Sequence, residues 1–164
     1  MSASEVAAFR LERTFAATPE EVFDAWTNPV VLERWWAAAP TWTSPGCDVD
    51  LRVGGRYALR MLGDDGELHV VGGEYREVAR PHRLVFTWCW QGGGGPHPGH
   101  VSLVAIDFHC EGDGTKVVLE HSGLASQQSR EGHGEGWRAC FDSLAQRGLS
   151  PNYKRTTHGK VKHG

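Results

Sequence analysis

Hydrophobic and polar positions alternate over residues 8–16, with Phe9, Leu11, Arg13 and Phe15 set against Arg10, Glu12 and Thr14. A period of two predicts a half-buried opening strand. The spacing changes at Thr18, where an N-cap threonine, Pro19 at the first helical position and Glu21 three residues on make a capping box. Val22, Phe23 and Trp26 then share one helical face. Asn28-Pro29 repeats the start signal, and Val31, Leu32, Trp35 and Trp36 predict a second short helix ending before Pro40. The two form a bent helical pair hinged at Thr27-Asn28.

Period two returns at Cys47 and persists to His121. Strands are predicted over 47–53, 56–62, 67–78, 83–90, 101–110 and 115–121. Their separators are Gly54-Gly55, Gly63-Asp64-Asp65-Gly66, Arg80-Pro81-His82, a glycine run over 92–95, and Asp113-Gly114. Connections this short imply an antiparallel meander, because parallel pairing needs crossovers of about a dozen residues or more. After Gly123 the pattern turns helical from Ser126 to Arg147, with Gly148 suited to end the helix. Trp137, Cys140, Phe141 and Leu144 follow i, i+3, i+4, i+7 spacing and form its buried stripe. Its first half carries Gly132, Gly134 and Gly136, each costing about 1 kcal/mol relative to alanine. Packing or a ligand has to hold that half.

One sheet and one long helix share a core only if the sheet curls around the helix, so the fold class is α+β. A single domain over residues 1–148 is expected, followed by a basic, solvated tail over 149–164 with Lys154, Arg155, Lys160 and Lys162.

Composition changes the picture in two ways. Seven Trp, six Phe and three Tyr are available for a core or a cavity wall, and 21 Gly supply turns and close approaches. A net charge of −3 gives no electrostatic reason to expect nucleic acid or an acidic membrane surface as partner. No apolar run approaches the ~20 residues of a membrane span, and the N-terminus lacks a secretory signal pattern. Cys47, Cys89, Cys110 and Cys140 are scattered and read as reduced thiols, so a cytoplasmic location is expected.

Along the chain stand Thr18-Pro19-Glu20-Glu21-Val22-Phe23, Leu32-Glu33-Arg34-Trp35-Trp36 and Asp50-Leu51-Arg52-Val53-Gly54-Gly55-Arg56-Tyr57. Gly73-Glu74-Tyr75, Pro81-His82-Arg83-Leu84, Leu119-Glu120-His121-Ser122-Gly123-Leu124 and His133 with Gly136-Trp137 follow in order, covering about residues 8–147. These ordered pieces resemble the START-like, or helix-grip, superfamily, in the branch similar to the C-terminal domain of the activator of the Hsp90 ATPase. The resemblance implies a curved antiparallel sheet of about seven strands around a long C-terminal helix. It also implies a cavity between them for a small hydrophobic or aromatic molecule. The eukaryotic co-chaperone that names the branch has a separate N-terminal domain for which this chain has no room, so an Hsp90-type chaperone is not expected as partner.

Candidate walls follow from strand phase and ring chemistry. Tyr57, Leu59 and Met61 share one phase; Tyr75, Phe86 and Trp88 lie on the next strands, then Ile106, Phe108 and Leu119. Trp35, Trp36 and Trp42 could close one end, and Trp137, Phe141, His121 and His133 face them from the helix and the last strand. For any one position a place in the solid core is as good a reading.

Catalytic candidates are weak. His121, Tyr57 and Tyr75 are the acid–base groups that a cyclase- or aromatase-like enzyme, or a hydrolase-like one, on this fold would use. Arg34, Arg56 and Arg60 could meet an acidic head group. No nucleophile elbow, phosphate loop or metal-ligand spacing occurs, so no cofactor and no metal are expected; His97 and His100 flank a Pro-Gly loop and suit at most adventitious metal. The leading expectation is ligand binding without catalysis. A third reading, a protein-interaction module or homodimer, predicts an exposed apolar patch around Trp26, Trp42 or Trp90.

Overall fold

The computed structural model describes residues 8–91 and 99–149. The elements are β1 (Phe9–Phe15), α1 (Pro19–Thr27), α2 (Pro29–Trp35), β2 (Cys47–Val49), β3 (Arg56–Leu62), β4 (Leu68–Ala79), β5 (Arg83–Trp90), β6 (Val101–Glu111), β7 (Gly114–Ser122) and α3 (Gln127–Ser143). A π-helical turn, Leu144–Gly148, continues α3. The glycine run with His97, and the basic tail beyond Leu149, lie outside the described residues.

The sheet has seven antiparallel strands in the order β1-β7-β6-β5-β4-β3-β2. The meander accounts for β2 to β7, and β1 joins beside β7, with Phe9 opposite His121 and Phe15 opposite Thr115. Both helix starts form as their residues dictate. Thr18 Oγ1 accepts from the Glu21 N–H (3.2 Å) while Glu21 Oε1 accepts from the Thr18 N–H (2.9 Å). Asn28 Oδ1 accepts from the Val30 N–H, and the Trp35 indole donates to the Ala25 carbonyl, fastening α2 to α1.

Curvature comes from β4. Its register with β5 shifts between Tyr75 and Glu77, a bulge that bends and twists the strand. At Gly73 a Cβ would stand 2.0 Å from the Thr87 carbonyl oxygen, so only glycine permits that approach. Inside the curve lie Phe23 against Phe108 (5.3 Å between ring centroids) and Phe15 against Phe141 (5.7 Å). Trp137, Cys140, Phe141 and Leu144 form the buried stripe that their spacing requires.

Three local expectations are corrected. The strand expected over 47–53 ends at Val49: the chain turns back through Asp50, whose carbonyl accepts from the Arg52 N–H, and Leu51 and Val53 are exposed. The last hairpin turns at Gly112-Asp113 rather than Asp113-Gly114, because Gly112 adopts a φ of 60° and Glu111 pairs with Gly114. The α-helix expected to reach Arg147 ends at Ser143 and widens into the π turn, where the Leu149 N–H reaches the Leu144 carbonyl. Gly148 lies inside that turn instead of beyond the helix. A Cβ there would be 2.7 Å from Trp35 Cδ1, so its lack of a side chain seats the turn on α2.

All four cysteines are free thiols. No helix among the described residues is long and apolar enough to cross a membrane.

Candidate functional site

Between the middle of α3 and the concave face of the sheet lies a cavity of about 190 Å³. Strand phase places its sheet wall. Trp88 and Trp90 project from alternate positions of β5, and Met61 on β3 stands directly opposite His69 on β4. The segment after α2 supplies Trp36, Ala38 and Trp42. Arg147 donates to the Pro40 and Trp42 carbonyls and ties that segment to the end of the helix. From α3 come Gly132, His133, Gly136, Trp137 and Cys140.

The helix wall is open where two of its five residues are glycines. A Cβ on Gly132 or on Gly136 would meet no heavy atom within 4 Å. Gly134, on another face, is different: a Cβ there would be 2.7 Å from the Phe9 ring. The three glycines of α3 therefore have two separate roles, two leaving space beside the cavity and one admitting Phe9.

Behind the wall lies a polar network within an aromatic shell. His133 Nε2 accepts from the Trp90 indole N–H (3.1 Å) and from that of Trp88 (3.3 Å). Its Nδ1 lies 2.8 Å from the Ser129 carbonyl oxygen, which only accepts, so Nδ1 carries the proton. His121 has the opposite tautomer. Its Nδ1 accepts from the Trp137 indole (3.0 Å), leaving Nε2–H to donate to Ser102 Oγ (2.7 Å), which in turn donates to the Trp88 carbonyl. His121 is fully buried, and burial, followed by the neighbouring His133, holds its pKa well below the usual histidine range. The Cys140 thiol is pushed up to about 12 by burial and is a neutral wall group.

Of the residues expected to line a cavity, Trp36, Trp42, Met61, Trp88, His133 and Trp137 are brought together around this one. Trp35, Leu59, Ile106, Phe108, Leu119 and Phe141 lie in the buried core, as does His121 behind the wall. Tyr57, Tyr75 and Phe86 form a separate aromatic cluster, with Tyr57 5.2 Å from Phe86 and 5.4 Å from Tyr75. The Tyr57 hydroxyl donates to the Thr87 carbonyl, and burial pushes both tyrosines far up. His121, Tyr57 and Tyr75, the acid–base candidates, are thus outside the cavity lining. Arg60 pairs with Asp48, and neither it nor Arg34 nor Arg56 lines the cavity. Trp26 is buried in the core, and Trp42 and Trp90, half-buried, belong to the cavity rather than to a patch outside it.

His69, Trp90, Ala38, Gly132, Gly136 and Cys140 were not legible as lining residues. Signals existed for four of them. Trp90 continues the phase of Phe86 and Trp88; the tight turn at Gly63–Gly66 sets His69 opposite Met61; Gly132 and Gly136 are one helical turn apart. Among the described residues no group of three His, Cys, Asp or Glu side chains could hold a metal ion.

A seven-stranded antiparallel sheet curved around a C-terminal helix, with two short helices after the first strand, is the helix-grip architecture of START-like domains. Within that class the chain belongs to the family described as activator of Hsp90 ATPase homolog 1-like protein, whose profile matches residues 16–147. Solved structures agree. The AHSA1 protein of Silicibacter pomeroyi is 29% identical with a TM-score of 0.74, over 85% of this chain and 96% of that one. A protein of Chromobacterium violaceum is 26% identical with a TM-score of 0.74, covering 85% of this chain and 95% of its own. The AHSA1-like protein of Aeromonas hydrophila, 27% identical, superposes with a TM-score of 0.67 over 84% and 90% of the two chains. No curated protein matches the chain.

Proposed function

We propose that this protein binds one small, apolar, aromatic molecule in the cavity beneath α3. The observation that carries this reading is the composition of the wall: five indoles, Trp36, Trp42, Trp88, Trp90 and Trp137, surround a space that Gly132 and Gly136 leave unfilled. Ligand sites are commonly apolar and aromatic with few polar groups, and among the described residues the lining has no lysine, arginine or carboxylate. Size sets the class. A dry apolar cavity of roughly 150 Å³ accepts benzene, so about 190 Å³ suits a substituted single ring or a compact fused pair.

The test is direct binding. Native mass spectrometry of the purified protein, with calorimetry against toluene and naphthalene, is expected to give a one-to-one complex. Ligand at one hundred times its Kd would raise unfolding stability by about 2.7 kcal/mol. Gly136→Leu, whose side chain enters the open space, is expected to keep the fold and lose binding. Failure of both ligands to bind the wild-type protein, or undiminished binding by G136L, would overturn the reading.

A further inference from the structure

His69 is the cavity group whose chemistry the binding reading leaves unused. It sits opposite Met61 on the concave face and stacks on Trp42, with ring centroids 5.0 Å apart and planes 13° from parallel. Its Nε2 lies 3.8 Å from Glu67 Oε1, an exposed carboxylate two residues earlier, just before the strand begins. That negative charge favours the proton on Nε2 and leaves the Nδ1 lone pair as the accepting position. Nδ1 makes no hydrogen bond among the described residues. By contrast, His133 is committed: its Nε2 already takes two indole protons and its Nδ1–H is given to Ser129. His69 therefore supplies the open acceptor of the lining.

We infer that the cavity selects aromatic molecules bearing one neutral hydrogen-bond donor, a phenolic hydroxyl above all, with His69 as the anchoring acceptor and Trp42 holding its ring in plane. This inference rests on the cavity being a binding site and adds the polar half of its specificity. Charge complementarity narrows the class. Among the described residues no cationic side chain lines the cavity, and the Glu67 carboxylate stands near the imidazole, so an aryl carboxylate would enter without a counter-charge from them. An apolar ring without a donor would bind by burial alone and leave the acceptor unmet.

Calorimetry at pH 7.5 with toluene, 4-methylphenol and 4-methylbenzoate separates these cases. In the wild-type protein 4-methylphenol is expected to bind and 4-methylbenzoate to bind at least tenfold more weakly. In His69→Phe, which keeps a ring against Trp42, the ratio of the 4-methylphenol Kd to the toluene Kd is expected to rise about tenfold. A second readout needs no variant. The 15N resonance of His69 Nδ1 in the wild-type protein should move on adding 4-methylphenol and stay in place on adding toluene. An unchanged ratio, a silent Nδ1 resonance, or benzoate binding equal to that of the phenol would each overturn the inference while leaving the apolar cavity standing. If H69F also loses toluene, the resonance and the wild-type benzoate comparison decide. Absence of all binding to the wild-type protein would instead remove the cavity reading on which the inference depends.

Discussion

His121 and His133 lie edge to face, with ring centroids 4.9 Å apart and planes at 76°, and each turns one nitrogen lone pair toward an indole N–H. The pairing is a structural use of two histidines. Tryptophan can only donate, so a core crowded with indoles needs acceptors, and neutral imidazoles provide them without introducing charge. Protonating either ring would convert its accepting nitrogen into a donor facing another donor.

A pH dependence of stability follows. The folded-state pKa of His121 is depressed well below its value in an unfolded chain, about 6.5. Below that pH the unfolded state binds more protons than the folded one, so stability is lost as pH falls. This histidine alone should cost about 1.4 kcal/mol at pH 5.5 relative to neutral pH, on a slope that approaches about 1.4 kcal/mol per pH unit. Urea denaturation between pH 8 and pH 5 measures it. Midpoints that stay level across that range would contradict the buried neutral assignment.

Removing the acceptor should be more costly than its volume suggests. His133→Ala strips the partner from both the Trp88 and Trp90 indoles; the buried Trp88 donor left unsatisfied costs about 1–3 kcal/mol, and the half-buried Trp90 donor less. A loss of about 2–4 kcal/mol is expected at pH 8, with a shift in tryptophan emission as the two rings change environment. His133→Gln, which restores a carbonyl acceptor, should recover part of the loss. Equal destabilisation by both variants would indicate that ring packing, not hydrogen bonding, dominates at this position.

The glycines of α3 predict opposite outcomes from the same substitution. Gly136→Ala adds a methyl group where nothing stands within 4 Å and removes a helix-weakening residue, so it should stabilise by up to about 1 kcal/mol. Gly134→Ala drives its methyl group into the Phe9 ring, which also lies under the Arg138 guanidinium (5.2 Å to the centroid), and should destabilise despite the better helix propensity. Paired thermal melts decide. Matching shifts in the two variants would mean that propensity alone governs this half of the helix.

What the chain determined by itself is the order and kind of its elements. Capping at Thr18 and Asn28, period-two runs broken by glycine turns, and the stripe from Trp137 to Leu144 depend on neighbours a few residues apart, so they are legible without coordinates. The location of the cavity was not legible in the same way. Phase identifies which side chains face inward, yet Tyr57, Phe86 and Ile106 face inward as surely as Met61 and Trp88, and only packing separates filled space from open space. That separation depends on contacts between residues far apart in the chain: α2 and the segment after it setting Trp36 against Trp88 of β5 and Trp42 against His69 of β4, and the hairpin register placing His69 opposite Met61. It depends equally on two glycines whose missing side chains matter only once a helix and a sheet enclose the space beside them. Local sequence rules report propensity and facing; a void is a property of the whole fold, because it is what the side chains of several elements together leave unoccupied.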